Sequence, residues 1–316
     1  MARWAKVFGT AFVVSLVGVG CVVQPDEGER FREAIPQEGE VALRVPGGAK
    51  GTQTRSLNIA TNEKTGAAKF YTFTRDMTNA VDFGTAVILG SVWAIVHTPP
   101  TTVEPKKATW GPGQSSALEP AIWRFVVTEV GDKEYDYMLE GQAKNGGPWL
   151  AVMKGHGFGK ESPNHKSGWF EWNNDTHRTL DPARAKDTGS TKVTFDLRKL
   201  PATIDVAIRP TGPDTGDADV KVTHEDQGAG SVIIKAKGDL DDSKTTKLED
   251  IDLVSRWTSA GAGRADVAME NGDLPFKVNA SECWSSSFAR VYYMDTVDFE
   301  PATGDASVCA FTDSKL

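Results

Sequence analysis

The chain has 316 residues, 39% of them hydrophobic and 25% charged, the ordinary balance of a globular protein with a sizeable core. Its formal net charge of −8 excludes a general nucleic-acid binder, which needs a basic face for phosphates. With only three cysteines, it is not a disulfide-dense small scaffold.

Residues 1–20 have the layout of a secretory signal peptide. Arg3 and Lys6 precede an apolar run from Val7 to Val19, with no acidic residue. That run is shorter than the roughly 20 residues of a comfortable membrane span. Removing residues 1–20 leaves 33 basic against 43 acidic residues, a net charge of −10.

Gly18, Val19, Gly20 and Cys21 close this segment. Small residues directly before a cysteine resemble the lipobox of bacterial lipoproteins, although Gly18 stands where the family prefers leucine. The resemblance covers about the first 21 residues. It implies diacylation of Cys21, cleavage after Gly20 and attachment to a membrane through acyl chains. Each methylene buried in lipid contributes about 0.8 kcal/mol. In this family Val22, in place of aspartate, favours the outer membrane. The chain is also similar to uncharacterised exported lipoproteins, a likeness that carries no activity.

With Cys21 acylated, Cys283 and Cys309 remain. An exported protein meets an oxidising compartment, so a Cys283–Cys309 disulfide is expected. A bridge of this span contributes about 3.5 kcal/mol in the chain-entropy model.

Residues 21–66 are rich in Glu, Gly, Pro, Gln and Thr and read as a lipid-anchored flexible linker. Residues 67–316 then form a single β-rich domain. A helix is predicted over about 70–97, where Phe70, Phe73, Met77, Val81, Gly84, Ile88 and Ile95 recur at helical spacing. Thr72 or Thr74 is the expected cap, and Pro99 and Pro100 end the helix. Its second half, AVILGSVWAIV, is apolar nearly all round, which predicts burial on several sides. Those eleven residues are too few to span a membrane.

From about 108 to 312 the period is two. In TKVTFDLRKL, Val193, Phe195 and Leu197 alternate with Thr194, Asp196 and Arg198. TIDVAIR, SVIIKAKG and similar runs continue the pattern between Gly, Asp and Asn turns. About ten antiparallel strands are expected, curling into a barrel or half-barrel with the long helix on the concave side. This layout is loosely similar to the curved sheets of lipoprotein-carrier and lipocalin-like proteins.

KGHGFGKE at 154–161 imitates a phosphate loop but fails. Gly155 and Gly159 enclose three residues where four are needed, and Glu161 stands where Ser or Thr is required. GWFEWNNDTHRTLDP at 168–182 offers Trp169, Glu171, Trp172 and Asp175 as candidate ligand contacts, because aromatic rings beside carboxylates suit sugars. In a strand, Trp169 and Glu171 share one face while Phe170 and Trp172 share the other. The acidic run at 238–252 lacks EF-hand spacing and reads as a hairpin turn. The five histidines are scattered; His156 and His165 could meet across a hairpin as a metal pair. No zincin or hydrolase motif occurs. No catalytic residue, metal site or cofactor is therefore assigned.

The leading expectation is a non-catalytic, lipid-anchored envelope protein acting as a binding or scaffolding module, with an apolar ligand in the curved sheet. A glycan-active enzyme or carbohydrate-binding module, using Glu171 and Asp175, is a second reading. A purely structural subunit of an envelope complex is a third. A filled concave face would count against the apolar ligand.

Overall fold

The computed structural model describes residues 28–37, 39–43, 45, 67–114, 117–183, 185–212, 215–239 and 247–316. Three α-helices are present among them: α1 (Glu29–Arg32), α2 (Lys69–Val96) and α3 (Asn174–Leu180). The strands are β1 (Thr102–Glu104), β2 (Lys107–Gly113), β3 (Ala121–Gly131), β4 (Glu134–Ala143), β5 (Leu150–Phe158), β6 (Ser167–Asn173) and β7 (Ser190–Asp196). They continue with β8 (Ala202–Arg209), β9 (Ala218–His224), β10 (Gly230–Gly238), β11 (Glu249–Trp257), β12 (Gly263–Asn271), β13 (Val278–Trp284) and β14 (Arg290–Asp295).

The fourteen strands form one curved, unclosed antiparallel sheet in which each strand pairs with its neighbours in sequence. The fold class follows from alternation, but the strand number exceeds the expected ten. Strands β1 and β2 are short or interrupted by glycine and proline. Strand β13 lacks alternation because nearly all of VNASECW is buried on both faces. Bulges at Glu129/Gly131, Leu139/Glu140 and Cys283/Trp284 bend the strands. The free edges are small. β1 has three residues. β14 is partly covered by Thr303, which exchanges backbone hydrogen bonds with Tyr293 at 2.8 and 2.9 Å.

The faces of the sheet differ chemically. On the concave side, Phe170, Val193, Ile204, Val206, Val222, Ile234 and Leu253 are buried in one core. On the convex side, cross-strand ion pairs such as Lys221–Asp205 (3.7 Å), Lys235–Asp252 (3.6 Å) and Lys237–Asp250 (2.8 Å) meet solvent. The last two absorb part of the acidic run; residues 240–246 lie outside the described residues.

Helix α2 touches β2 and β3 at one flank of the sheet and β12 and β13 at the other. It bridges the ends of the curved sheet. Apart from Thr72 in its first turn, one face is buried: Tyr71, Thr74, Thr78, Thr85, Leu89, Val92 and Val96. Gly84, Val87, Ser91 and Ala94 are exposed, so the expectation of burial on several sides is not met. The expected stripe lies one residue away from the buried one, and its members Phe70, Phe73, Met77, Val81, Ile88 and Ile95 pack at the margins. Threonines tolerate the centre because their hydroxyls donate to the helix's own carbonyls, as in Thr74 to Phe70 (2.7 Å) and Thr78 to Thr74 (3.0 Å). Taken whole, the 28-residue helix is long and apolar enough, by length and composition, to cross a membrane; here its buried stripe enters the protein core.

The cap also differs from expectation. Neither Thr72 nor Thr74 caps α2; the N-cap residue is Ala68, which has no polar side chain. The carboxylate of Glu282 on β13, fully buried, accepts from the amide of Lys69 (3.0 Å) and from that of Phe70. It also accepts from Arg290 Nε at 2.5 Å, and Arg290 Nη1 reaches Glu300 at 2.6 Å. Burial pushes the Glu282 carboxyl above the ordinary range, opposed by the Phe70 amide and Arg290.

The N-terminal segment belongs to this core too. Composition places residues 21–66 in a linker, yet Phe31, Ala34, Ile35, Val41 and Leu43 are buried among the sheet and helix residues. The segment runs along α2: Arg32 donates to Thr98 O (3.0 Å), Trp93 Nε1 to Pro36 O (3.1 Å), and the Leu43 amide to Asp82 (2.5 Å). The remainder of 21–66 lies outside the described residues, apart from 28–45 where described.

Replacing Glu282 with alanine removes the helix cap and strands Arg290, so urea unfolding followed by tryptophan fluorescence should show a loss of about 3–5 kcal/mol. Glu300→Gln, at the more exposed end of the same network, is expected to cost about 1 kcal/mol or less.

Candidate functional site

The segment 168–182 splits as strand periodicity requires. On β6, Trp169 and Glu171 face the convex side. Glu171 stands between Lys154 and Lys192, and Lys192 Nζ lies 4.9 Å from the Trp169 ring centre. Phe170 and Trp172 face inward. Asp175 is on α3, which begins where Asn173 Oδ1 accepts from the Thr176 amide at 2.7 Å. The Asp175 carboxylate accepts from Thr211 Oγ1 (3.1 Å) and Arg178 (3.1 Å). Glu171 therefore stands on the sheet face between two lysines while Asp175 is bonded to Thr211 and Arg178 from α3, and Trp169 and Trp172 lie on opposite faces.

The segment builds a plug for one end of the concave trough. The expected polar turn is helix α3, which lies against β4, β5 and β7. His177 sits edge-on to Trp172 at 5.1 Å and near Trp123 at 6.2 Å. Leu180 completes a cluster with Ala121 and Val152. Gly141 allows this approach, since a Cβ there would fall 2.6 Å from Leu180 and 2.7 Å from Trp123. Burial pushes the His177 imidazole below its ordinary value of 6.5, with Asp181 and Asp187 opposing.

At the other end of the trough, α1 and hairpin turns enclose an open, polar cleft of about 780 Å³. Its wall carries the pairs Arg30–Glu129 (3.1 Å) and Lys133–Glu161 (2.8 Å), and the Lys160 amide reaches Glu33 at 3.3 Å. The glycines of KGHGFGKE serve packing here. A Cβ on Gly155 would strike the Tyr137 ring at 2.1 Å, and one on Gly157 would meet Ala34 O at 2.2 Å. They let a buried tyrosine and the N-terminal segment close on β5.

His156 and His165 take separate partners. His156 contacts Asp136 (2.8 Å) and Glu134 (3.3 Å), and His165 Nδ1 lies 3.1 Å from Phe158 O. Among the described residues no group of three or more His, Cys, Asp or Glu is arranged to hold a metal ion.

No protein-family model, curated protein or solved structure matches this chain. Its chemistry must be argued from its own residues.

Cys283 and Cys309 form the expected disulfide, with Cα atoms 5.6 Å apart. Cys21 lies outside the described residues. The bridge pins the C-terminal tail to the convex face of β13, where Arg256, Arg264 and Asp266 are nearly covered. Sequence reading missed this place. The strand alternation of Arg264 and Asp266 was visible, but the residues that cover them are some 50 positions away.

The His177 shift has a defined sign. A folded value below the unfolded one means the unfolded chain takes the proton first. The contribution of neutral His177 is present above pH 6.5 and is lost as pH falls below it, through the folded value. Thermal unfolding between pH 7.5 and 5 should show a falling midpoint, and His177→Phe should flatten that slope.

Proposed function

We propose that this protein is an exported, lipid-anchored envelope protein whose domain serves as a non-catalytic binding or scaffolding module. The observation that carries this reading is the filling of the concave face by the chain itself. Inward side chains of the central strands pack with Leu89, Val92 and Val96 of α2 and with Phe31, Ile35, Val41 and Leu43 of the N-terminal segment. A curved sheet filled in this way has its working surfaces outside, on the convex face and at the polar cleft. The apolar-ligand form of the reading loses its support for the same reason. The disulfide agrees with export. The anchor rests on Gly20 and Cys21 and on the lipobox resemblance.

A glycan-active enzyme is disfavoured by the placement of Glu171 and Asp175. Glycoside hydrolysis needs two carboxylates across one bond, whereas Glu171 is on the convex face of β6 and Asp175 is on α3, tied to Thr211 and Arg178.

Mass spectrometry of the protein extracted from membranes of the expressing bacterium tests the anchor. The expected N-terminus is Cys21 carrying acyl chains, and Cys21→Ala is expected to move the protein out of the membrane fraction. An unmodified chain that retains residues 1–20 overturns the reading.

A further inference from the structure

Much of the convex face of the sheet meets solvent through ion pairs, but one patch spanning β11–β13 is covered. There Arg256, Arg264 and Cys283 stand in one cross-strand row, with Asp266 and Ser281 in the next. The side chains of Arg264 and Asp266 are only 5% and 1% exposed. Arg264 Nε donates to Asp266 (2.8 Å), and Arg264 Nη2 donates to Ser281 Oγ (3.1 Å). What covers them is the last stretch of the chain.

The tail binds this seat largely through its backbone. Arg264 Nη1 donates to Thr312 O at 3.0 Å and to Phe311 O at 3.4 Å. The Lys315 amide donates to Asp266 Oδ2 at 3.2 Å. Arg256 donates to the main-chain carbonyl of Asp313 and meets its carboxylate at 3.2 Å. The Arg256 guanidinium also lies 4.8 Å from the centre of the Phe311 ring. Thr312, Asp313, Ser314, Lys315 and Leu316 are exposed, and only Phe311 is half-buried. The tail bends at Phe311 and Asp313, and the seat thus holds main-chain carbonyls, one amide, one aromatic ring and one partly exposed carboxylate, the mix of main-chain and side-chain contacts by which peptide segments are recognised.

We propose that this groove is a peptide-recognition surface, that residues 311–315 occupy it as an intramolecular ligand, and that the tail of a second copy of this chain takes the same seat when the resident tail leaves. Buried charges are costly without partners, so a vacated Arg256–Arg264–Asp266 cluster favours re-occupation. The disulfide at Cys309 stands two residues before Phe311 and holds the resident tail at an effective concentration of millimolar order. The resident tail therefore wins in dilute protein. Residues 310–316 span at most about 24 Å when extended, so an exchange that keeps the disulfide needs the convex faces of two copies to lie against one another.

The test uses a fluorescein-labelled peptide, AFTDSKL, which is residues 310–316. It is read by fluorescence anisotropy against the full chain and against a chain ending at Ala310, in which the disulfide is retained. The shortened chain is expected to bind the peptide saturably, and the full chain at least tenfold more weakly. Arg256→Ala in the shortened chain should weaken binding at least tenfold, and an Asp313→Asn peptide about threefold. If the shortened chain does not fold, the full chain carrying Phe311→Ala and Asp313→Asn replaces it, with the same expectation. A folded acceptor that ignores the peptide, or binds native and Asp313→Asn peptides alike, overturns the proposal.

Discussion

The buried carboxylate of Glu282 holds this architecture in register. An α-helix begins with amides that have no partner inside the helix. In α2 the first two are satisfied by a side chain from β13, more than 200 residues later in the chain. Arg290 balances the charge, and Glu300 and Lys69 extend the network toward solvent. One end of a helix about 42 Å long is thereby fixed to the last strands of the sheet. The other end meets the first strands, where Trp110 Nε1 donates to Thr98 O at 2.8 Å and Arg32 also donates to Thr98 O. The helix is a brace across an unclosed sheet.

That brace explains the distribution of polarity. The concave face need not be solvated, because α2 and the segment at 28–45 fill it. The trough is closed at one end by α3 and narrowed at the other by α1. Chemical variety is then displaced to the convex face and the cleft, where most charges pair in water and contribute little stability individually. The covered patch on β11–β13 departs from this rule. Its ions are buried and depend on backbone groups of the C-terminal tail.

Several features were legible locally. Alternation located most of the strands from β3 to β11, where one face is drier than the other, and β12 as well, whose residue types alternate although both faces are buried. Alternation also separated Trp169 and Glu171 from Phe170 and Trp172. It failed at β13, where burial on both faces erases the period, and at α3, seven residues long and too short for helical periodicity to show. The linker reading failed over part of its length for another reason. Composition averages over a window, whereas Phe31, Ile35, Val41 and Leu43 are scattered apolar anchors whose binding site is made elsewhere in the chain.

The sequence by itself determined the antiparallel class, the presence of one long helix, the polar convex face and the pair of cysteines left to bridge. All of these depend on residue types at short spacing or on simple counting. The tertiary structure alone decided which face of α2 is buried, that Glu282 caps it, that Phe31, Ala34, Ile35, Val41 and Leu43 join the core, and that the tail sits on Arg264 and Asp266. Each is a contact between distant segments. A threonine stripe looks polar until its hydroxyls bond to its own helix, and a glutamate looks exposed until it meets two bare amides and an arginine. The energy of such groups is set by their partners, which short-range patterns do not encode.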